Sequence, residues 1–392
     1  MRLDLLMERE LFDDVFIVTL SKYLKAHYRW NGTIKWNKFN LFHSTKHTFL
    51  VNDKLNVIYH YNLQRDKLSE LTAEFSYNSN FFRNILQNIY IQFATNKIFE
   101  KVLSKYTVNL TDYTDEFSKW VFIPGNHSIR IIDLRKNRCI VILKDGFNEK
   151  FLKNEINIRK EYPYLPIPKL VNYNINNLYY EEERIVGLPY NRIANEEIRN
   201  KSLKKILKPL FKLYRETHMV IQKNSYVNML KKDFDVAIDN LPPIYKSEDK
   251  QKFIMLFDEI SMSIAMNEIN LVITHGDFQP ANIIIDSIQN NRAYLIDWEY
   301  SKKRSFLYDF LVFEVQARKT IGLAERLKLL KMEKFKWIYQ SLSIPYIDLK
   351  NAMIKVFLLE DFCLRIEELK IPTLKHKSLN LENFIKEVSY IL

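Results

Sequence analysis

The chain has 392 residues, 47% hydrophobic and 27% charged, with only 6 glycines and 11 prolines. That composition suits a globular protein of one to three domains and excludes long disordered or low-complexity stretches. The formal charge of +12 fits anionic partners such as nucleotide phosphates, or reflects a source genome rich in A and T. Cys139 and Cys363, the two cysteines, are too few for a disulfide framework and have no partner at metal-ligand spacing. They read as buried free thiols in a reducing compartment. Charges break up the N-terminus too early for a signal peptide, and no apolar run reaches spanning length, so a cytoplasmic protein without a membrane span is expected.

In chain order, Leu11, Val15, Phe16, Leu20, Tyr23 and Leu24 recur at helical spacing, predicting an amphipathic helix over 8–28, closed by Asn31-Gly32. Residues 47–51 and 55–61 read as a hairpin turning at Asn52-Asp53-Lys54. Helical periodicity returns over 80–105. Nothing before residue 110 carries recognisable chemistry, and aromatics such as Trp30, Trp36, Phe39 and Phe42 are expected to pack a core. Polar residues cluster over 109–116, where a boundary is placed.

Three strands joined by short turns follow, over 119–123, 129–134 and 138–144, with Pro124-Gly125-Asn126-His127 at the first turn. A helix is predicted over 149–162 and a strand over 178–186, closed by Gly187. Beyond Ala194 the pattern is helical, interrupted by one strand–loop–strand insert at 271–298.

That insert carries the chemistry. An apolar run ending at Thr274 leads into His275-Gly276-Asp277-Phe278-Gln279-Pro280-Ala281-Asn282, and a second apolar run, Ile283-Ile284-Ile285, leaves it. Further on comes Ala293-Tyr294-Leu295-Ile296-Asp297-Trp298-Glu299. Phosphoryl transfer needs a carboxylate beside the attacking hydroxyl and hard oxygen ligands to hold magnesium against the phosphates. Asp277 is the expected base, Asn282 and Asp297 the expected Mg²⁺ ligands, and His275 a brace for the loop.

His-Gly-Asp-x4-Asn followed by Ile-Asp-Trp-Glu resembles the aminoglycoside phosphotransferase and choline kinase superfamily, small-molecule relatives of protein kinases. Where this chain has Gly276, protein kinases have Arg; where it has Asp297-Trp298-Glu299, they have Asp-Phe-Gly. The resemblance implies an α+β, two-lobed, protein-kinase-like fold: a small antiparallel-sheet lobe over 113–187 and a larger mainly helical lobe over 188–392. An extra α+β segment over 1–112 precedes them. It implies ATP and Mg²⁺ as cofactors, with the nucleotide between the lobes, and a small-molecule hydroxyl acceptor such as a sugar, a sugar-like antibiotic or an amino alcohol. Nucleic acid is not an expected partner.

By the same resemblance Lys144, at the end of a Val/Ile/Leu strand, is the phosphate-pairing lysine and Glu155 its ion-pair partner. Backbone groups near Glu183 and Ile185 would meet adenine, and the loop at Gly125 would cover the β-phosphate, although it has one glycine where protein kinases have three. Asp309 supports the catalytic loop or caps the next helix. Glu360, Asp361, Glu367 and Glu368 are candidate acids for a cationic acceptor, read first as a solvated face. The basic run Lys204, Lys205, Lys208, Lys212 and Arg215 also reads as solvated. The alternative to an enzyme is a degenerate kinase fold used as a binding module, with residues 1–110 recruiting a partner.

Overall fold

The computed structural model describes residues 3–38, 47–72, 75, 81–96, 99–112, 114–286, 292–346, 349–369 and 374–392. Phe39 and Phe42 lie outside them. The chain divides into two compact units: residues 1–203 with 283–296, and residues 204–282 with 297–392.

The first unit is built on helices α1 (Leu3–Arg9), α2 (Phe12–Tyr28), α3 (Arg65–Thr72), α4 (Phe81–Ala94), α5 (Phe99–Leu103) and α6 (Glu149–Glu161). Its strands are β1 (Ile34–Lys38), β2 (Thr48–Asn52), β3 (Val57–His60), β4 (Tyr106–Leu110), β5 (Trp120–Pro124), β6 (Ser128–Asp133), β7 (Arg138–Leu143), β8 (Leu170–Asn174) and β9 (Tyr179–Glu183). These form one antiparallel sheet of nine strands in the order β1-β4-β2-β3-β5-β6-β7-β9-β8. Because β3 pairs with β5, the segment before residue 112 continues the sheet of residues 120–183, and the boundary placed at 112/113 falls inside this sheet. The helical run predicted over 80–105 is two helices, α4 and α5.

Alternation along the strands gives the sheet two distinct faces. Ile129 and Ile131 on β6, Ile140 and Ile142 on β7 and Tyr179 on β9 point to one side. There they bury against Leu3 and Leu6 of α1 and Phe12, Phe16, Leu20, Tyr23 and Leu24 of α2. The early aromatics do pack a core: Trp36 meets Phe12, Phe16 and Tyr106 at ring-centroid distances of 5.8, 5.7 and 6.1 Å. A short second sheet in this unit joins β10 (Gly187–Pro189) to the hairpin β13 (Ile283–Asp286) and β14 (Arg292–Leu295).

The second unit is mainly helical, with α7 (Glu196–Thr217, whose first turns belong to the other unit), α8 (Lys223–Asp239), α9 (Ser247–Met262) and α10 (Tyr308–Glu314). To these it adds α11 (Leu323–Leu329), α12 (Lys336–Ser341), α13 (Lys350–Glu368) and α14 (Leu374–Val388). Lys204, Lys205, Lys208, Lys212 and Arg215 on α7 are exposed, as a solvated face requires. Beyond the predicted insert, the sequence reading missed two strands: β11 (Met219–Gln222) and β15 (Lys302–Ser305) flank β12 (Glu268–Thr274) in a three-stranded antiparallel sheet. Both are four residues long: β15, Lys-Lys-Arg-Ser, is wholly polar, and β11 has only the three apolar residues Met219-Val220-Ile221 between two helices, too short a run to separate from helical periodicity.

The α+β class and the pairing of a sheet-bearing unit with a mainly helical one are those expected of a two-lobed kinase-like fold. Cys139 and Cys363 are free and buried, and burial pushes both thiols up, that of Cys363 to about 12. Among the described residues no helix is long and apolar enough to cross a membrane.

Candidate active site

In the helical unit, β12 ends at Thr274 and delivers the loop 275–282. The backbone N–H groups of His275 and Gly276 donate to the two carboxylate oxygens of Asp309 at 2.7 and 2.9 Å, and the Tyr214 hydroxyl donates to the same carboxylate at 2.6 Å. Asp309 lies in the first turn of α10 and is fully buried. It therefore acts as an anchor that turns the loop out of the strand. Gly276 has φ +85°, and a Cβ there would lie 2.4 Å from the Tyr300 carbonyl oxygen and 2.7 Å from Arg304 Nη1. Both facts require glycine.

This turn presents Asp277. Its N–H donates to His275 Nδ1 at 3.2 Å, and His275 is itself buried edge-on against Trp298 at 4.7 Å. The Asp277 carboxylate accepts from Arg318 Nε at 2.7 Å, from Gln279 Nε2 at 2.8 and 2.9 Å, and from Asn282 Nδ2 at 3.0 Å. Asn282 Nδ2 also donates to the Asp277 carbonyl at 2.8 Å. The amide nitrogen is thus committed to the loop, and the amide oxygen is the end that can ligate a metal.

Pairing of Ile283 with Leu295 brings the two ends of the β13–β14 hairpin together, with Asn282 just before one strand and Ile296-Asp297 just after the other. Asp297 has φ 64° and ψ 57°, a left-handed conformation uncommon outside glycine that often marks a functional turn. A carboxamide oxygen and a carboxylate are hard donors, and magnesium takes few of these from protein. The residues fit that ion.

Sequence reasoning missed Arg318. Its guanidinium joins Asp277 to Asp361 (Nη1 to Oδ1, 2.6 Å) and donates from Nη2 to the Gly276 carbonyl at 2.6 Å. Arg318 lies 41 residues beyond Asp277 in a short turn after α10, and no local pattern marks it.

The acids of α13 correct an expectation. Glu360 and Asp361 were read as part of a solvated face, yet both are buried, at 1% and 0% exposure. Glu360 accepts from Ser305 N–H, Ser305 Oγ and Tyr226 hydroxyl, and burial raises its pKa. Burial also acts to raise Asp361, but Arg365 and Arg318 outweigh it and hold the carboxyl below its usual range. Both side chains are committed to partners within the unit. Glu368 accepts from the Tyr300 hydroxyl at 2.7 Å, and Glu367 lies 3.8 Å from Lys302.

In the sheet-bearing unit a cavity of ≈ 240 Å³ is lined by Ile123, Ile132, Cys139, Ile284 and Ile296, with Glu183, Ile185 and Gly187 along one side. Glu183 donates its N–H to the Lys169 carbonyl at 2.9 Å. The size suits part of a ligand, such as a ring system, rather than a whole nucleotide. Gly125 sits in a tight turn, its N–H on the Ser128 carbonyl at 2.9 Å.

The expected Lys144–Glu155 ion pair is not formed. Lys144 follows the phase of Ile140 and Ile142 and turns to the face covered by α1 and α2. There its ammonium is buried on Glu10, with the Asn126 carbonyl 3.2 Å away and the Phe12 ring 5.3 Å away. Glu155 lies on the opposite face and pairs with Arg159, which also binds Glu182 at 2.7 Å. Because side chains alternate along a strand, a one-residue difference in register decides which face a cation serves, and composition cannot reveal it.

A model of the phosphotransferase enzyme family matches residues 247–329, the stretch that contains the loop 275–282 and Arg318. No curated protein sequence matches the chain. Among solved structures, an ethanolamine kinase from Plasmodium vivax is similar at 15% identity, covering 84% of this chain and 94% of its own, with a TM-score of 0.44. A choline kinase from Streptococcus pneumoniae is similar at 13% identity, covering 71% and 91%, with a TM-score of 0.45. An aminoglycoside phosphotransferase solved with ADP and hygromycin B is similar at 12% identity, covering 70% and 93%, with a TM-score of 0.44.

Proposed function

We propose that this chain is an ATP-dependent phosphotransferase that moves the γ-phosphate of ATP to a hydroxyl of a small molecule. The observation that carries this reading is the Asp277 carboxylate, fixed by Arg318, Gln279 and Asn282 on a loop bonded to buried Asp309. Asp277 orients the acceptor hydroxyl and takes its proton as the oxygen attacks the γ-phosphorus; the bond to the β–γ bridging oxygen breaks and ADP leaves. To receive the hydroxyl, the carboxylate exchanges the Gln279 contact for the substrate, while Arg318 keeps it aimed. Mg²⁺, held by the Asn282 amide oxygen and the Asp297 carboxylate, would neutralise charge on the transferred phosphoryl group. In the sheet-bearing unit the isoleucine-lined part of the cavity beside Glu183 and Ile185 suits the adenine ring, and the Gly125 turn suits the phosphates. The acceptor class stays with sugars, sugar-like antibiotics and amino alcohols; Glu360 and Asp361, being buried, supply no acidic cage for a polycation.

One observation favours the second reading, a degenerate kinase fold acting as a binding module: Lys144 is withdrawn onto Glu10. ADP release from Mg·ATP across a panel of small hydroxyl compounds separates the two. The enzyme reading expects turnover with at least one compound, cut by about 10²–10⁴ in Asp277→Asn. Undiminished turnover in that variant removes Asp277 as the base. Failure to bind Mg·ATP at all supports the binding module.

A further inference from the structure

The cavity has cations of its own, Arg130, Arg159 and Arg184; Arg159 is held by Glu155 and Glu182, and Arg184 by Glu70. Along β6, Arg130 and Ile132 point to the side opposite Ile129 and Ile131, and pairing sets Arg130 against Val141 and Ile132 against Cys139. Ile132, Cys139 and Arg130 all line the cavity, with Arg159 and Glu182 beside them. Arg130 is close enough to Glu182 to act against the rise that burial gives that carboxyl.

Its position along the strand matters as much as its face. Ile132, Cys139 and Glu182 stand in one row across the sheet, and Arg130 lies two residues nearer the turn 125–128. A ligand with its ring on Ile132 and Cys139 and its phosphates toward that turn would pass its anionic part along Arg130. Lys144, the other cation near this turn, serves the opposite face and is neutralised there by Glu10.

We infer that Arg130, on the second strand of the 120–143 meander, and not Lys144 on the third, is the cation that contacts the nucleotide phosphates. The Lys144–Glu10 pair instead ties the N-terminal helices to the sheet. This inference rests on the nucleotide reading above and names a specificity determinant within it: Arg130 separates nucleoside di- and triphosphates from the bare nucleoside, through a guanidinium suited to bidentate phosphate contact.

The test is binding of adenosine, AMP, ADP and ATP to the full chain by calorimetry in EDTA, so that Asn282 and Asp297 hold no metal. In the parent, affinity is expected to rise from adenosine to ATP. In Arg130→Met that rise should shrink at least ~10-fold while adenosine affinity holds, the scale of losing one charge-assisted contact. Arg130→Lys should recover part of it. The double variant Lys144→Met/Glu10→Gln, which removes both buried charges together, should keep the full rise. Where Arg130→Met does not fold, Arg130→Gln replaces it, keeping a hydrogen-bond donor near Glu182 without the charge. A rise unchanged in the Arg130 variants, or lost in the Lys144/Glu10 double variant, overturns the inference and leaves the phosphotransferase reading standing. A parent that binds neither adenosine nor ATP, in EDTA or with Mg²⁺ restored, overturns both.

Discussion

Arg318 Nε lies 2.7 Å from Asp277 Oδ1, while Nη1 of the same guanidinium lies 2.6 Å from the fully buried Asp361. One side chain thus ties the Asp277 carboxylate to the interior of the helical unit. Arg318 remains 23% exposed, so the contact with Asp277 acts more through aim than through net stability. Arg318→Met is expected to lower kcat on the order of 10²-fold, the scale of misplacing a reacting group, with the KM for ATP little changed. Steady-state kinetics on an identified acceptor checks the split; a raised KM at constant kcat would mean that Arg318 binds substrate instead.

Gly276→Ala should be more damaging than its size suggests. The new methyl meets the Tyr300 carbonyl in a backbone conformation that alanine avoids. Strain and overlap together are expected to cost about 2–5 kcal/mol, read as a lowered urea midpoint with an unchanged slope. A neutral substitution would show that the loop relaxes away from Tyr300.

Asp361 and Glu360 are neighbours on α13 with opposite pH behaviour. Asp361 has a folded pKa below its unfolded value, so its contribution is fully present above about pH 4 and is lost as pH falls through the folded value. Glu360 has a raised folded pKa, so the stability from its protonated form is lost as pH rises from the ordinary carboxylate range through that higher value. Asp361→Asn should cost about 3 kcal/mol at neutral pH, by stranding Arg318 and Arg365, and the gap to the parent should narrow in acid. Glu360→Gln should flatten the loss on the alkaline side. Urea midpoints from about pH 3 to pH 8 measure both.

Asp297→Ala should remove the Mg²⁺-dependent part of ATP binding and leave the metal-free part. In a thermal shift, stabilisation follows occupancy, about 2.7 kcal/mol at a hundredfold excess over Kd. A parent shift that depends on Mg²⁺ and disappears in the variant places Asp297 at the metal. An equal shift in both removes it.

The loop 275–282 was legible because its signals are local. His275, Gly276, Asp277 and Asn282 lie within eight residues between two apolar strands, and that spacing both names the residue types and sets their geometry. The β5–β6–β7 meander was legible for the same reason, since alternating apolar runs and short turns are contiguous signals. Arg318 was not, because an arginine in a turn looks the same whether it meets water or a carboxylate 41 residues away.

The sequence by itself determined the α+β class and the place of the loop 275–282 between two strands. Only the tertiary structure decided what each charge outside that loop touches. Glu360 and Asp361 look solvated by their spacing and are buried, because α13 is covered on more than one side by α8, α9 and α14. Lys144 and Glu155 look like partners by distance along the chain and stand on opposite faces, because strand alternation turns Lys144 toward α1 and α2 while Glu155 on α6 meets Arg159 on the other side. Sequence spacing fixes periodicity within an element; which neighbour meets each face is fixed by long-range packing, and burial and ion pairing depend on that neighbour.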